Sequence, residues 1–417
     1  MMNLREAREL VVLAGKQLIK EGLIARTWGN VSCRAGDTQF LITPSGRAYD
    51  TLTADDIVLV NIEDCSYAGD LKPSSEKGIH AEVYKQRPEI NFVIHTHQTN
   101  ASVLSPLKRD IKLTDSESIT LLGGKIICAG YGLPGTKKLK KEVAAALAKS
   151  DGKAFLMAYH GALCLGKDYN EAFRVASELE KVCEKHVFER YLELSGAGSC
   201  DYDDVRAYCV KKACSGSLEN SKEKESYLFS SQRDGDYYKL FTGGSEEDHF
   251  PQREDAFIRL SLNELPKGKS KEINQAAEIH RQIYLGDKDV NSVIHSLSPD
   301  ILALSRMGKK NLPYLDDFAQ LIGVNLLLAE NKRTPESAKN IARKLTGRNA
   351  VLIRDNGAIC TGPESSDAEA ALMVMEKGAK TALGISLFGK TKPINPLECR
   401  LMRFIYKTQY SKKKNVS

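Results

Sequence analysis

The chain is written twice, and this constrains its fold more than any other feature. Residues 79–95 read IHAEVYKQRPEINFVIH and residues 279–295 read IHRQIYLGDKDVNSVIH. The Ile-His pair, the Tyr and the closing Val-Ile-His recur in step, with His80 and His280 standing 200 positions apart. Further on, FLMAYHGALCLGKDYNEA (155–172) is echoed by VLIRDNGAICTGPESSDAEA (351–370). Two separated matches in the same order indicate a duplicated domain, here a tandem pair rather than an array. A length of 417 residues accommodates two domains of ordinary size. The first copy is expected over residues 1–196 and the second over 227–406. A Ser-, Gly- and charge-rich linker is expected at 197–226 and a basic tail at 407–417. The second copy has no obvious counterpart to the opening of the first, so it reads as truncated.

Composition then removes several classes of function. Hydrophobic residues make up 42% and charged residues 27%, as in a globular protein. No run approaches the ~20 apolar residues of a membrane span. The opening MMNLREAREL carries charges where a signal peptide needs an apolar core. A cytoplasmic protein without membrane association is therefore expected. The net charge of +6 is small for this length and both signs interleave, so no nucleic-acid surface is expected. The short run Ser411-Lys412-Lys413-Lys414 reads as a solvated end. The ten cysteines are scattered without a C-x-x-C pair, several in apolar runs that suit buried thiols. Cys200, Cys209 and Cys214 lie near one another in a loop-like stretch, where a zinc site is the weaker reading.

Within the first copy, helical and strand periodicities alternate. Asn3 followed by Glu6 has the form of a capping box. Leu4, Ala7, Leu10, Val11, Ala14 and Leu18 then recur at helical spacing, and Gly22 stops the helix. FLIT (40–43) and IVLV (57–60) predict strands. Ser74-Ser75 precede a helix carrying Ile79, Val83 and Tyr84. The apolar strand FVI (92–94) runs into His95-Thr96-His97, and the strand AFLM (154–157) leads to His160-Gly161. Asp168 with Glu171 marks the start of a long helix. This alternation predicts an α/β fold with a central sheet flanked by helices.

Four residues stand out chemically. His95 and His97 are two apart, and residues i and i+2 of a strand project to the same face. His160 likewise follows an apolar strand, with Gly161 suited to a tight turn. Glu76 lies in the first turn of a helix, where the dipole favours a carboxylate. Three neutral imidazoles and a carboxylate are a suitable set for zinc, with bonds of about 2.0–2.2 Å, and manganese or cobalt accept the same ligands. His80, His186 and His249 read instead as ordinary core or surface histidines.

The segments GNVSCR (29–34), LITPSG (41–46), LKPSSE (71–76), VIHTH (93–97) and YHGALCLG (159–166) occur in this order. Together they resemble the class II aldolase/adducin family over most of residues 4–195. For each copy the resemblance implies an α/β/α sandwich with a central, mostly antiparallel β-sheet flanked by helices. It implies that Glu76, His95, His97 and His160 bind one zinc or other divalent ion per chain, in the first copy only. It also implies a substrate phosphate held by Gly29 and Asn30, by Ser45 and Gly46, and by Ser74 and Ser75. Gly-rich turns, hydroxyls and a helix N-terminus all offer donors to a dianion.

The activity implied is a lyase that cleaves or forms a carbon–carbon bond in a phosphorylated ketose. Cleavage leaves an enediolate, whose charge a divalent cation stabilises as a Lewis acid. Glu76 is expected to ligate the resting metal and then to act as acid/base. The pattern is broken in one place. Fuculose-type members place a tyrosine from a neighbouring subunit where alignment through LLGGKIICAGY (121–131) puts Ser116, and a serine hydroxyl is a poor acid. Asp115 or Glu117 are the available substitutes. Epimerase or other enolate chemistry at the same metal, or an adducin-like scaffold, are therefore the alternatives.

In the second copy Ala276 stands opposite Glu76, His295 opposite His95, Leu297 opposite His97 and Asn356 opposite His160. No metal is expected there, and an interface role is. The expected assembly is a homo-oligomer, a dimer of tandem chains mimicking a tetramer. In it Tyr314, Asp316 or Asp317 of the second copy are candidates to reach a first-copy metal, a surface loop being the weightier reading for any one of them.

Overall fold

A computed structural model of the chain describes residues 3–24, 28–214, 229–242, 248–251, 254–308, 313–330, 332 and 334–410. The chain divides into two compact units. Unit 1 is Met1–Arg190 with Phe388–Lys392, and unit 2 is Tyr191–Leu387 with Pro393–Ser417.

Unit 1 opens with α1 (Leu4–Lys20), started by the expected capping box of Asn3 and Glu6. Gly22 follows the helix at φ 69°, the left-handed conformation that ends helices. Then come β1 (Asn30–Arg34), β2 (Gln39–Ile42), β3 (Val58–Asn61), α2 (Lys77–Gln86), β4 (Phe92–Thr96), α3 (Thr99–Leu104) and β5 (Ile111–Lys112). They are followed by α4 (Ser116–Leu122), β6 (Lys125–Ala129), α5 (Lys137–Leu147), β7 (Ala154–Met157), β8 (Gly161–Gly166) and α6 (Tyr169–Ser195). The strands form one sheet in the order β3-β2-β1-β4-β8-β7-β6-β5. Neighbours are antiparallel except β6 and β7.

Strands β4 and β8 lie in the middle of this sheet and are buried along their whole length. That is why they read as apolar runs rather than as alternating ones. Val93, Phe155, Met157 and Leu163 share one core with Ile79 and Val83 of α2 and Leu139 and Val143 of α5. Each such side chain contributes roughly 1.5–3 kcal/mol through burial. His95 follows Val93 by two residues, so it emerges on the face that α2 and α5 cover. Helices α1 and α3 contact the same sheet at β1, β2 and β8.

Unit 2 contains α7 (Tyr202–Ala213), β9 (Ser230–Asp234), β10 (Tyr237–Phe241), β11 (Phe257–Ser261), α8 (Lys271–Gly286), β12 (Ser292–Ser296) and α9 (Pro299–Met307). It continues with α10 (Asp316–Leu321), β13 (Leu328–Ala329), α11 (Pro335–Leu345), β14 (Ala350–Ile353), β15 (Ala358–Gly362), α12 (Ser365–Ser386) and α13 (Pro396–Ile405). Its sheet runs β11-β10-β9-β12-β15-β14-β13, the order of unit 1 strand for strand without a partner for β5. The duplication read from the sequence is thus a duplication of topology.

Two features differ from the sequence reading. Part of the stretch read as a linker is helix α7, capped by Asp201 through a second capping box. Val205, Cys209 and Val210 of α7 are buried, and Arg206 meets Asp300 of α9 at 2.9 Å. The polar flanks of this segment mask a short amphipathic helix. Residues 215–228 of that stretch, and 411–417 of the tail, lie outside the described residues. Secondly, α8 starts well before the residue opposite Glu76. Asn274, Gln275 and Ala276, the counterparts of Ser74, Ser75 and Glu76, are helical, so unit 2 has no turn of the Ser-Ser-Glu kind.

Candidate metal centre

Strand β4 delivers His95, and His97 follows one residue beyond the strand on the same side. His95 Nδ1 donates to the Ala162 carbonyl of the adjacent strand at 2.8 Å, which leaves the Nε2 lone pair free to bind a cation. His95 Nε2 and His97 Nε2 lie 3.1 Å apart. His160 sits in the turn between β7 and β8, preceded by Tyr159 at φ 64°. Its ring stacks on His95, 4.8 Å between centroids, and meets His97 edge-on at 4.7 Å. The three imidazoles offer ligand nitrogens that all lie within 4.8 Å of one another. This is the metal-capable His/Cys/Asp/Glu group among the described residues.

Gly161 has a different reason to be glycine from the one expected. Its φ is not positive; the left-handed residue of the turn is Tyr159. A Cβ on Gly161 would lie 2.2 Å from the Thr96 carbonyl oxygen. Close approach of the His97 and His160 segments thus depends on the missing side chain. The counterpart Gly357 has the same constraint, 2.0 Å from the Ser296 carbonyl.

Glu76 occupies the N-cap of α2 but makes no capping bond. Its carboxylate turns to the histidines, with Oε1 2.8 Å from His160 Nε2 and Oε2 3.2 Å from His95 Nε2. Burial pushes its pKa up, but the neighbouring His160 and His95 outweigh burial and hold it well below the usual carboxylate range. Tetrahedral ligands at about 2.0–2.2 Å from a cation stand roughly 3.4 Å from one another. The separations of 2.8 Å, 3.1 Å and 3.2 Å in this group lie close to that value. The three imidazoles, with the Glu76 carboxylate against two of them, therefore fit a divalent ion in their chemistry.

The three loops expected to hold phosphate gather around Glu76. Gly29 has φ 107°, and a Cβ there would meet the His95 carbonyl oxygen at 2.6 Å. Gly46, at φ 75°, faces open space. The Ser45 amide donates to the Lys72 carbonyl and the Ser74 amide to the Thr43 carbonyl, so the second and third loops run side by side. Ser75 is exposed, whereas Ser74 is buried and its Oγ accepts from the Glu76 amide at 3.2 Å. Asn30 has a further role in the structure. Its side chain is engaged by Glu76, with Nδ2 donating to Oε2 at 3.0 Å, and by His80.

His80 is the residue that sequence reasoning passed over. It is fully buried, linked to Asn30 through Nε2 and to Ser32 Oγ through Nδ1 at 2.6 Å. Burial, with His95 nearby, lowers its pKa to about 3 and keeps it neutral. The available signal was its recurrence as His280 in the Ile-His pair of the second copy.

Residues 9–187, and again 250–383, match the sequence profile of the Class II Aldolase and Adducin N-terminal domain. The chain belongs to the class II aldolase and adducin family. The 5-deoxy-D-ribulose 1-phosphate aldolase of Bacillus thuringiensis is 34% identical, over 43% of this chain and 83% of the relative. The 3-oxo-tetronate 4-phosphate decarboxylase of Haemophilus influenzae is 31% identical, over 42% of this chain and 85% of the relative. The solved structure of an L-fuculose 1-phosphate aldolase is 30% identical and covers 43% of this chain and 84% of its own, with a TM-score of 0.41. This class II aldolase-family chain carries two copies of the fold.

The departures from the family pattern have structural content. Ser116 opens α4, and Asp115 caps that helix by accepting from the Glu117 and Ser118 amides. The bonds to Ser118 lower the Asp115 pKa, so it is held as a carboxylate and makes a poor acid. In unit 2, His295 turns its Nε2 to the Asn356 carbonyl at 2.7 Å. Asp316 and Asp317, candidates to reach a first-copy metal, are buried in unit 2, and Asp317 pairs with Lys377 of α12. The weaker zinc reading at Cys200, Cys209 and Cys214 fails. Cys209 turns to Leu383 and Ser386, and Cys214 to the Arg306 carbonyl.

Among the described residues no helix is long and apolar enough to cross a membrane.

Proposed function

We propose that the first domain is a divalent-metal-dependent lyase that cleaves or forms a carbon–carbon bond in a phosphorylated ketose. The observation that carries this is the meeting of Glu76, His95, His97 and His160, residues from three distant segments, at one buried point. Relatives at 34% identity named for phosphorylated ketoses support the substrate class. In this reading the four residues hold zinc, manganese or cobalt. When bound, such a cation supplies Lewis-acid stabilisation to negative charge developing beside a carbonyl.

The chain's own groups do the rest. Ser45, Gly46, Ser74 and Ser75, with the Gly29–Asn30 backbone, hold the phosphate at the N-terminus of α2, so remote binding energy positions the reacting carbons. The histidine-flanked Glu76 carboxylate is ionised and ready to accept a proton. Glu76→Gln is expected to depress turnover far more than affinity for a phosphate ester.

A second reading is favoured by two observations. Ser116 is not an acid, and a 31%-identical relative is a decarboxylase. In that reading the same centre performs epimerase or decarboxylase chemistry through an enolate.

The test is incubation of the metal-loaded protein with ketose 1-phosphates. Aldehyde release with a three-carbon keto-phosphate supports the lyase. Epimer formation without an aldehyde, or carbon dioxide release from a phosphorylated 3-keto acid offered in parallel, supports the second reading. A wild-type protein that binds no divalent ion would overturn both and leave a scaffold.

A further inference from the structure

We propose that Asn30 is a positioning residue for Glu76, coupling that carboxylate to a buried His80–Ser32–Tyr84 chain. The inference rests on the reading of Glu76 as a metal ligand.

One arrangement of hydrogens satisfies the whole chain. An ionised carboxylate only accepts, so the Asn30 amide must turn Nδ2 towards Glu76 Oε2, 3.0 Å away. Asn30 Oδ1 then faces His80 Nε2, which must donate. His80 Nδ1 is left as the acceptor for the Ser32 hydroxyl at 2.6 Å, and Ser32 Oγ accepts from the Tyr84 hydroxyl at 2.7 Å. Flipping the Asn30 amide would set its oxygen against the carboxylate. The orientation is therefore imposed from the Glu76 end, and the His80 tautomer follows from it. All five residues are buried, Glu76 the most exposed of them at 8%. In such surroundings a broken link leaves an unpaired buried polar group, which is costly. Asn30 also sits opposite His95 in the β1–β4 register, which anchors its backbone beside a second ligand.

The second repeat supplies an internal control. Tyr284, Ser231 and His280 reproduce the outer links at 2.7 Å each. Val31 opposes Ile94 in unit 1 and Ser230 opposes Ile294 in unit 2, so Phe229 takes the place of Asn30. Ala276 takes the place of Glu76. The Tyr–Ser–His trio thus persists where no carboxylate needs support, as part of the fold. The amide link exists only where the ligand set exists. Asn30 is the point at which a general framework is joined to the metal centre.

The test uses the full chain and measures Zn2+ affinity by chelator competition, with inorganic phosphate binding as a second readout. Asn30→Leu is expected to weaken Zn2+ binding about 10–100-fold, the usual cost of removing such a support. His80→Leu is expected to weaken Zn2+ binding about tenfold or more, and His80→Gln, which retains a donor for Asn30, to restore most of it. His280→Leu is expected to lower stability without moving Zn2+ affinity. Should Asn30→Leu not fold, Asn30→Ser is read in the same way. Unchanged Zn2+ affinity in the Asn30 variant, or weakened phosphate binding alone, overturns the inference while the metal reading stands. A wild-type chain that does not bind Zn2+ overturns the metal reading and the inference with it.

Discussion

His95 and His97 hold their Nε2 atoms 3.1 Å apart, on one side of the strand that forms the middle of the first sheet. His95 is fixed by its bond to the Ala162 carbonyl, whereas His97 lies past the last paired residue of β4 and is half-buried. Two neutral imidazole nitrogens at this distance repel through their lone pairs unless a proton or a cation lies between them. His97→Ala is therefore expected to leave the fold intact and to reduce bound zinc from about one ion per chain to near zero. Metal analysis of the purified variant, with circular dichroism as the control for folding, checks this. Full metal occupancy in the variant would remove His97 from the ligand set.

Gly161→Ala tests whether backbone proximity builds the centre. The added methyl would lie 2.2 Å from the Thr96 carbonyl oxygen and 3.4 Å from His97 Cα. Strands β4 and β8 must then part where two ligands enter. The expected cost is about 1–3 kcal/mol of stability, as for other overpacked sites, together with weakened zinc binding. Gly357→Ala imposes the same clash on unit 2, 2.0 Å from the Ser296 carbonyl, and is expected to cost similar stability without affecting zinc. Urea unfolding and chelator titration of the two variants separate these effects.

Much of the centre was legible because it follows from short-range rules. Strand alternation put His95 and His97 on one side, and the apolar run before them marked β4 as a central strand. The Asn3–Glu6 capping box and the Asp168–Glu171 helix start were readable for the same reason, since each bond spans three residues. His80 was not, because its partners Ser32 and Asn30 are 48 and 50 positions away and its neighbours in sequence say nothing of them. Helix α7 was hidden by composition. Its polar surface resembles a linker, and only packing of Val205, Cys209 and Val210 reveals it. Gly161 was recognised but explained wrongly, because a close approach between strands leaves no local sequence trace.

Ser75→Ala isolates the phosphate loops from the metal. Ser75 is exposed, unlike Ser74, whose hydroxyl supports the Glu76 amide. Loss of one charge-assisted hydrogen bond to a dianion costs about 1.5–3 kcal/mol, or roughly ten- to a hundredfold in affinity. The variant is expected to show that rise in KM for a ketose 1-phosphate, with zinc affinity unchanged. An unaltered KM would exclude the Ser75 hydroxyl from phosphate binding.

The buried histidines set a pH dependence that is separate from catalysis, and unit 2 displays it without the ligand set. Burial, reinforced by nearby His295, lowers the His280 pKa from 6.5 to about 3, so the folded domain keeps this ring neutral. An unfolded chain protonates it near 6.5. Below that pH the unfolded state binds a proton that the folded state refuses, so stability falls as pH drops, and it is fully present above about 6.5. The slope is about 1.4 kcal/mol per pH unit for each such ring between the two pKa values. His80, also lowered to about 3, adds the same trend in unit 1. Glu76 does not confuse the window. Its pKa is held below 4.5, so its contribution is present above 4.5 and is lost only at lower pH. Urea unfolding between pH 7 and pH 5 is therefore expected to show falling stability, and His280→Gln to flatten the slope for unit 2. A slope unchanged by that substitution would mean that His280 can take up a proton without leaving its place.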